Sequence, residues 1–522
     1  MVALAQVNRA SEDRQDHRPR LSDLRESGCL AGDTLVTLAN SGRRVPIREL
    51  VGRQGVSVWS LDERSLRLRP AQVSRACCTG VKPVYRLRTR LGRCIRATAN
   101  HPFRAYQGWR RLDELAVGDY VAVPRVLPCG GRNTLSAAEA GLLGHLIGDG
   151  CTLPRHAIQY TTRERDLADR VAALAVEVFG ARICPRVVAE RTWFQVYLTA
   201  SERLTHGRHN AVAEWLTGLG VFGLRSWEKR VPDVVFEQPH EVVSAFLRSL
   251  WATDGCIRPA GRVTHYPAVF YASSSEALAD GVQALLLRLG INGRRRVQNQ
   301  GEKGRPQHQV WLSGHDDLVR FTHQVGAVGA YRCEALATVE RWLEGQAANT
   351  NRDIIPRLVW HHRAVPLMRE RGISMRSMQA AMGMAFCGSS LYKQNLSRER
   401  LARVATAVGG DEVLTALAGS DVYWDRVERI EPAGEEEVFD LTVPGPHNFV
   451  ANEIVVHNSI EQDADAVLML HRPDRYEPGQ QEGVIEIIVA KNRQGPVGEV
   501  TLAYIKQYLR YEDFKVGTPF DG

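Results

Sequence analysis

Cys29 and Ser459 are nucleophiles, and each stands at the edge of a break in the sequence. Upstream the chain reads LSDLRESG, ending at Gly28, and downstream it resumes as SIEQDAD from Ser459. Joined directly, the two ends give DLRESGSIEQDADAV, an uninterrupted helix-forming stretch. The interruption, residues 29–458, opens on a thiol and closes on His457-Asn458. A thiol next to its own preceding carbonyl can attack the Gly28–Cys29 peptide and form a thioester, provided the amide is polarised and its leaving nitrogen protonated. The run TANHPF offers Thr98, Asn100 and His101 for that work. The Ser459 hydroxyl can then take the acyl group. Asn458 can cyclise through its side-chain amide onto its own carbonyl, with His457 placed to assist. The residues present therefore suffice for a segment that cuts itself out and joins its ends. A domain that only cleaves would have no use for both Asn458 and Ser459.

These groups need elements that bring positions 29 and 458 together. From Cys29 to about Pro124 the sequence consists of short β-rich runs, TLVTLA, VSVWSL, PVYRLRT, RCIRATA and YVAVP, punctuated by Gly, Asn and Pro. Residues 421–458 return to the same pattern, so an all-β body is expected to be split, with its halves at 29–130 and 421–458. Between them, residues 131–335 hold an internal repeat: an apolar helix ending in Asp-Gly, strand-like runs, then an amphipathic helix, each occurring twice. The helices close as LLGHLIGDG (142–150) and LRSLWATDG (247–255). Their small residues, Gly144, Gly148, Ser249 and Ala252, allow close packing that would bring Asp149 and Asp254 together. Two such carboxylates can hold Mg²⁺ against a phosphate; Asp-Gly is also an ordinary helix end. Residues 336–420 read as helical, with a faint helix-turn-helix character over 365–405.

Composition narrows the class. The 522 residues contain no apolar run long enough to span a bilayer, and the ten cysteines are scattered without CxxC pairs, as expected of free thiols in a cytoplasmic, nucleoid-associated protein. The flanks 1–28 and 459–522 hold 12 Lys+Arg against 16 Asp+Glu, whereas 29–458 hold 55 against 43. The basic excess lies wholly in the interruption, which suggests a polyanion partner.

With these residues in place, the chain resembles an intein embedded in a host protein. CLAGDT resembles the block of the initiating Cys29, RATANHPF the block of Thr98 and His101, and VFDLTVPGPHNFVANEIVVHNS the last two blocks. The resemblance implies roles for Asp440 and His447, for the terminal His457, Asn458 and Ser459, and a horseshoe-shaped all-β Hint fold. It implies no cofactor for splicing. The repeat resembles the LAGLIDADG homing endonucleases, with only the helix character and closing Asp-Gly retained. That implies an α+β domain with catalytic, metal-holding Asp149 and Asp254, a catalytic part for Lys229, Mg²⁺ as cofactor and a double-stranded DNA target. Arg294, Arg295 and Arg296 would suit its phosphates.

The flanks resemble pieces of the RecA-like α/β ATPase domain of the replicative hexameric DNA helicases of the DnaB family. VALAQVNR would carry a phosphate-sensing Gln6. Arg25, Glu26 and Gly28 would face single-stranded DNA. IIVAKNRQGPVGEV would be a hairpin whose Lys491 and Arg493 reach a neighbouring subunit's nucleotide. The pattern GxxxxGK[ST] does not occur in the sequence, so ATP is expected to serve such a host only in trans. A reading as a helicase carrying the interruption as a passenger meets the same gap.

Overall fold

The computed structural model describes residues 28–128, 130–203, 209–262, 265–346, 352–458, 466–473, 483–492, 495–505, 508 and 510–513. The expectations for Gln6, Arg25, Glu26, Ser459 and Arg493 lie outside these residues, as does the side chain of Lys491.

Both β-rich segments enter one eleven-stranded sheet. Its spine is two long strands, Arg75–Thr89 and Val422–Thr442, paired antiparallel through register shifts near Val427, Pro432 and Phe439. Such bulges bend a ribbon and increase its twist. The strand Leu30–Ala31 pairs with Phe439 and Val438 on one side and with Ala97 on the other. Further along, Phe103 pairs with Val456 of the strand Ile454–His457. The turn 98–101 therefore connects a strand beside the start of the interruption to a strand beside its end. Pairing across some 400 residues of sequence is what brings the two junctions together.

The last strand belongs to a hairpin, Asn448–Ala451 with Ile454–His457. Its loop is two residues, Asn452 and Glu453, at φ +46° and +55°. This doubly left-handed turn matches the twist of the flanking strands. Asn452 fixes it in place: Oδ1 accepts from the Leu35 N–H (2.7 Å) and Nδ2 donates to the Cys94 carbonyl (2.9 Å).

Between the β segments stand two units of the same topology. The helix Ala137–Asp149 leads into a sheet ordered Gly150–Cys151, Gln159–Thr162, Trp193–Ala200, Ile183–Glu190, backed by the helix Arg165–Phe179. The helix His240–Asp254 leads into Gly255–Arg258, Ala268–Ser273, Gln307–Leu312, Arg294–Gln298, backed by Glu276–Arg288. The first helix starts at a capping box, in which Ser136 Oγ accepts from the Glu139 N–H and Glu139 accepts from the Ser136 N–H. The two Asp-terminated helices pack together where glycine permits. A Cβ on Gly144 would lie 2.5 Å from the Phe246 carbonyl, and one on Gly148 would lie 2.0 Å from Thr253 Oγ1.

Among the described residues, 352–419 contain four short α-helices, Val365–Glu370, Met375–Ala381, Arg398–Ala407 and Glu412–Gly419. Trp360, Met368, Leu401 and Leu414 from this region share a hydrophobic cluster with Trp59, Leu61, Trp424 and Val455 of the β body. The first two helices, joined by 371–374, pack against that body. The described part of the C-terminal flank is a four-stranded antiparallel sheet, in which Val484–Asn492 and Gly498–Ile505 form the hairpin foreseen there. Among the described residues no helix is long and apolar enough to cross a membrane.

Candidate active sites

Cys29 is fully buried, just ahead of its short strand. Its N–H, which belongs to the Gly28–Cys29 peptide, donates to Thr98 Oγ1 at 2.9 Å. Thr98 in turn donates from its hydroxyl to Asn100 Oδ1 (2.7 Å) and from its N–H to the Cys29 carbonyl (3.0 Å). The junction amide is thus clasped by the three-residue step that the TANH run supplies. On the thiol side, the Thr79 hydroxyl donates to Sγ at 3.0 Å and the Lys82 ammonium lies at 3.5 Å. Burial raises the thiol pKa above its ordinary value; Thr79 and Lys82 oppose that, and the buried Asp440 carboxylate adds to it. Asp440 lies on the long strand 422–442, opposite Cys77.

His101 follows at the end of the same turn, 1% exposed, with its ring edge-on to Phe103. Gly28 presses against it so closely that a Cβ at position 28 would fall 2.1 Å from His101 Cα. Burial holds the imidazole pKa down at about 4; the Gly28 backbone works in the opposite direction and His457 adds to the depression. His101 therefore stands between the two ends of the interruption and senses both.

At the far end, His457 Nδ1 is within hydrogen-bond distance of the Asn458 carbonyl oxygen. That carbonyl is the one a cyclising Asn458 must attack. The His457 ring packs edge-on against Trp109 at 4.6 Å and stacks near His447 at 6.4 Å between centroids. Asn458 is 2% exposed, and its N–H donates to the His447 carbonyl at 2.9 Å. Its carboxamide is satisfied when Nδ2 donates to the His447 carbonyl and Oδ1 accepts from the Val443 N–H (2.8 Å); the reverse orientation sets nitrogen against a donor and oxygen against an acceptor. Asn448, fully buried, holds the turn before this hairpin. It accepts from Ser60 Oγ (3.0 Å) and the Leu61 N–H (2.7 Å), and donates to the Leu61 (2.9 Å) and Pro446 (2.8 Å) carbonyls.

The second constellation lies in the repeat. Asp149 and Asp254 line one cleft of about 350 Å³ with Ser226, Lys229, Arg305 and Gln307. Desolvation by the walls of the cleft, and then Asp254, raise the Asp149 pKa to about 7, while Lys229 and Arg332 oppose the shift. The same desolvation raises Asp254. Lys229 Nζ donates to the carbonyls of Gly148 (2.8 Å) and Gly150 (2.9 Å), so it satisfies the end of the first helix. The Asp-Gly ends are not left-handed caps: Gly150 and Gly255 lie at φ −81° and −80°. Glycine is required there because a Cβ would strike the preceding turn, 2.4 Å from the Leu146 carbonyl in one copy and 2.3 Å from the Trp251 carbonyl in the other. Two carboxylates side by side at the helix ends, both solvent-accessible, suit a divalent cation that completes its shell with water and phosphate; among the described residues no third His, Cys, Asp or Glu joins them.

The arginine run does not act as one surface. Residues 294–298 form an edge strand, so alternate side chains face opposite sides. Arg295 turns inward and pairs with Asp280 (2.9 Å) and Glu276 (2.8 Å), which removes it from the expected phosphate contacts. Arg294 pairs with Glu428 at 3.3 Å, and Arg296 lies over the Trp311 ring. Sequence reasoning missed Thr79 and Lys82, which reach Cys29 from a strand about fifty residues away. It also missed Arg332, which spans Glu164 and the Thr253 carbonyl beside the paired aspartates. No local motif marks any of them.

The family described as intein splicing domain matches residues 36–458. A replicative DNA helicase DnaB of Rhodothermus marinus is 57% identical over 529 residues, covering 100% of this chain and 56% of the relative. One from Nostoc is 54% identical, covering 98% and 58%. The chain thus spans little more than half the length of these relatives. Among solved structures, the Ssp DnaB mini-intein variant M86 (G-1F mutant) aligns with 83% of this chain and 99% of its own, at 18% identity and TM-score 0.27. I-DmoI in complex with DNA and Mn aligns with 37% and 97%, at 13% identity and TM-score 0.27.

Proposed function

The chain belongs to the intein splicing domain family, and we propose that residues 29–458 excise themselves while Gly28 becomes joined to Ser459. The Cys29 sulfur attacks the Gly28 carbonyl carbon, the Gly28–Cys29 C–N bond breaks, and the leaving nitrogen, held by Thr98, takes a proton by way of His101. The Ser459 hydroxyl displaces the thiol from the acyl group and gives a branched ester. Asn458 Nδ2 then attacks the Asn458 carbonyl carbon, polarised by His457. The C–N bond to Ser459 breaks, a succinimide forms and the Ser459 amine is released. That amine attacks the ester carbonyl, and a normal peptide replaces the ester.

The observation that carries this reading is the clasp of the turn 98–101 on the first junction, beside the strand that delivers His457 and Asn458 to the second. Cys29→Ala should abolish thioester formation. Asn458→Ala should leave N-terminal cleavage by an added thiol and prevent ligation, both read by intact mass. Ligation by the Asn458→Ala chain would overturn the scheme.

A second reading, for the repeat, rests on the shared cleft of Asp149 and Asp254. We propose a site-specific double-strand DNA endonuclease in which these carboxylates hold Mg²⁺, Lys229 fixes the end of the first helix, and Arg296 remains free to meet phosphate. The bound metal would supply Lewis acidity to a phosphodiester. Asp149→Asn should remove cleavage of DNA carrying the uninterrupted host sequence and leave splicing intact; retained cleavage would refute the assignment. The flanks, by their similarity to the DnaB helicases, are proposed to come from such a host, acting on single-stranded DNA as part of a hexamer in the cytoplasm.

A further inference from the structure

The repeat is bolted to the hairpin that presents Asn458. Arg44, 7% exposed at its side chain, lies between Glu453 (3.1 Å) and Asp280 (3.0 Å). Glu453 is the second residue of the left-handed turn that closes the hairpin 448–457. Asp280 belongs to the helix Glu276–Arg288 of the second repeat unit, where it also holds Arg295. Arg44 additionally lies over the Phe236 ring, 5.3 Å from its centroid. The same contact zone contains backbone and buried side-chain bonds. The Arg295 N–H donates to the Leu91 carbonyl (2.9 Å), Gln283 donates to the same carbonyl (2.8 Å), and Arg288 donates to the carbonyls of Pro128 (2.7 Å) and Gly42 (2.8 Å).

A glutamate at positive φ is a strained choice that neighbouring contacts must hold. Beside the Asn452 contacts that fix the turn, Glu453 is ion-paired to Arg44, and the same Arg44 nitrogen also meets Asp280. The register of that turn fixes Asn448 opposite His457, and so fixes the His447 carbonyl that binds the Asn458 N–H. The charges alternate along the chain Glu453, Arg44, Asp280, Arg295, Glu276, so each arginine lies between two carboxylates.

We infer that Asp280, acting through Arg44, is a positioning residue for the Asn458 cyclisation step, so that the repeat braces the second splice junction rather than riding as an independent insert. This rests on the splicing reading above. It assigns the brace to one junction: the Cys29 clasp is made by Thr98, Thr79 and Lys82, none of which touches the repeat in the contacts described.

The test uses the full chain and separates the two cleavages. C-terminal cleavage is followed in a Cys29→Ala background and N-terminal cleavage by dithiothreitol in an Asn458→Ala background, each by intact mass over time. Asp280→Asn, which keeps the shape and removes the charge, should slow C-terminal cleavage by about tenfold and leave N-terminal cleavage within about twofold. Asp280→Glu should restore most of the C-terminal rate. The unchanged N-terminal rate reports a folded β body. Equal slowing of both cleavages, or slowing of neither, would overturn the inference. A chain with native Asp280 that shows neither cleavage would overturn the splicing reading and this inference together.

Discussion

Cys29, His101 and Asn458 are buried, and the pH behaviour of the first two follows from that. His101 titrates near 4 and His145, also buried, near 3, against about 6.5 in an unfolded chain. As pH falls below 6.5 the unfolded chain takes up protons that the folded histidines refuse. The histidines' contribution to stability should therefore be full above about 6.5 and decline towards pH 4, by up to about 1.4 kcal/mol per pH unit for each histidine. The raised Asp149 and Asp254 work in the opposite direction over this window, so the test is a difference: between pH 7 and 5 the urea midpoint of His101→Asn should fall less, or rise more, than that of the native chain, and identical pH dependence of the two would contradict the burial argument. The Cys29 thiol lies above its usual pKa because burial outweighs Thr79 and Lys82. Thiol-induced N-terminal cleavage of the Asn458→Ala chain should thus keep rising from pH 7 to 9, and a plateau below pH 8 would show a thiolate already formed. The sequence made Cys29, His101 and Asn458 legible because their chemistry sits in contiguous runs at the edges of an interruption. It misled at Arg295, since a run of arginines shows charge but not which member meets Asp280 and Glu276 through space. Lys82 and Arg332 stayed invisible for the same reason.

At the scale of elements, two contacts carry the geometry. Asn448 satisfies four polar partners in a buried turn. Asn448→Ala would leave the Leu61 N–H and carbonyl without partners, at about 1–3 kcal/mol for each buried group. Its melting temperature should fall and the C-terminal cleavage rate with it; a chain with unaltered melting would mean the turn holds itself. In the helix pair, Gly144→Val would force a side chain into the Phe246 carbonyl. Overpacking of this kind costs about 1–3 kcal/mol and should separate Asp149 from Asp254, lowering both thermal stability and DNA cleavage. Unchanged values for both would show that the helices can slide. The repeat, its amphipathic helices and the strands before Pro124 could be read from periodicity. The edge strands Ile183–Glu190 and Arg294–Gln298 could not: their burial alternates weakly and nothing but pairing defines them. The glycines of the Asp-Gly ends were legible as helix ends, but the cause is a missing Cβ rather than a left-handed turn.

For the whole molecule, the architecture turns on one non-local fact: a sheet built from residues on both sides of the repeat, whose long strands pair Arg75–Thr89 with Val422–Thr442. The repeat enters and leaves that sheet without breaking it, and the charge distribution matches, since the basic excess sits in residues 29–458 and the acidic excess in the flanks. A split β body was readable because both halves share a pattern that the middle lacks. The bridge Glu453–Arg44–Asp280 was not, because its members lie in three segments that only the fold makes neighbours. Removal of the chain's own middle is tested most directly by intact mass spectrometry of the expressed full chain, with Asn458→Ala beside it. Splicing should give two species from the native sequence, residues 29–458 alone and residues 1–28 joined to 459–522, with the ligated species absent from the variant. A native chain that remains whole, or a variant that still ligates, would contradict it.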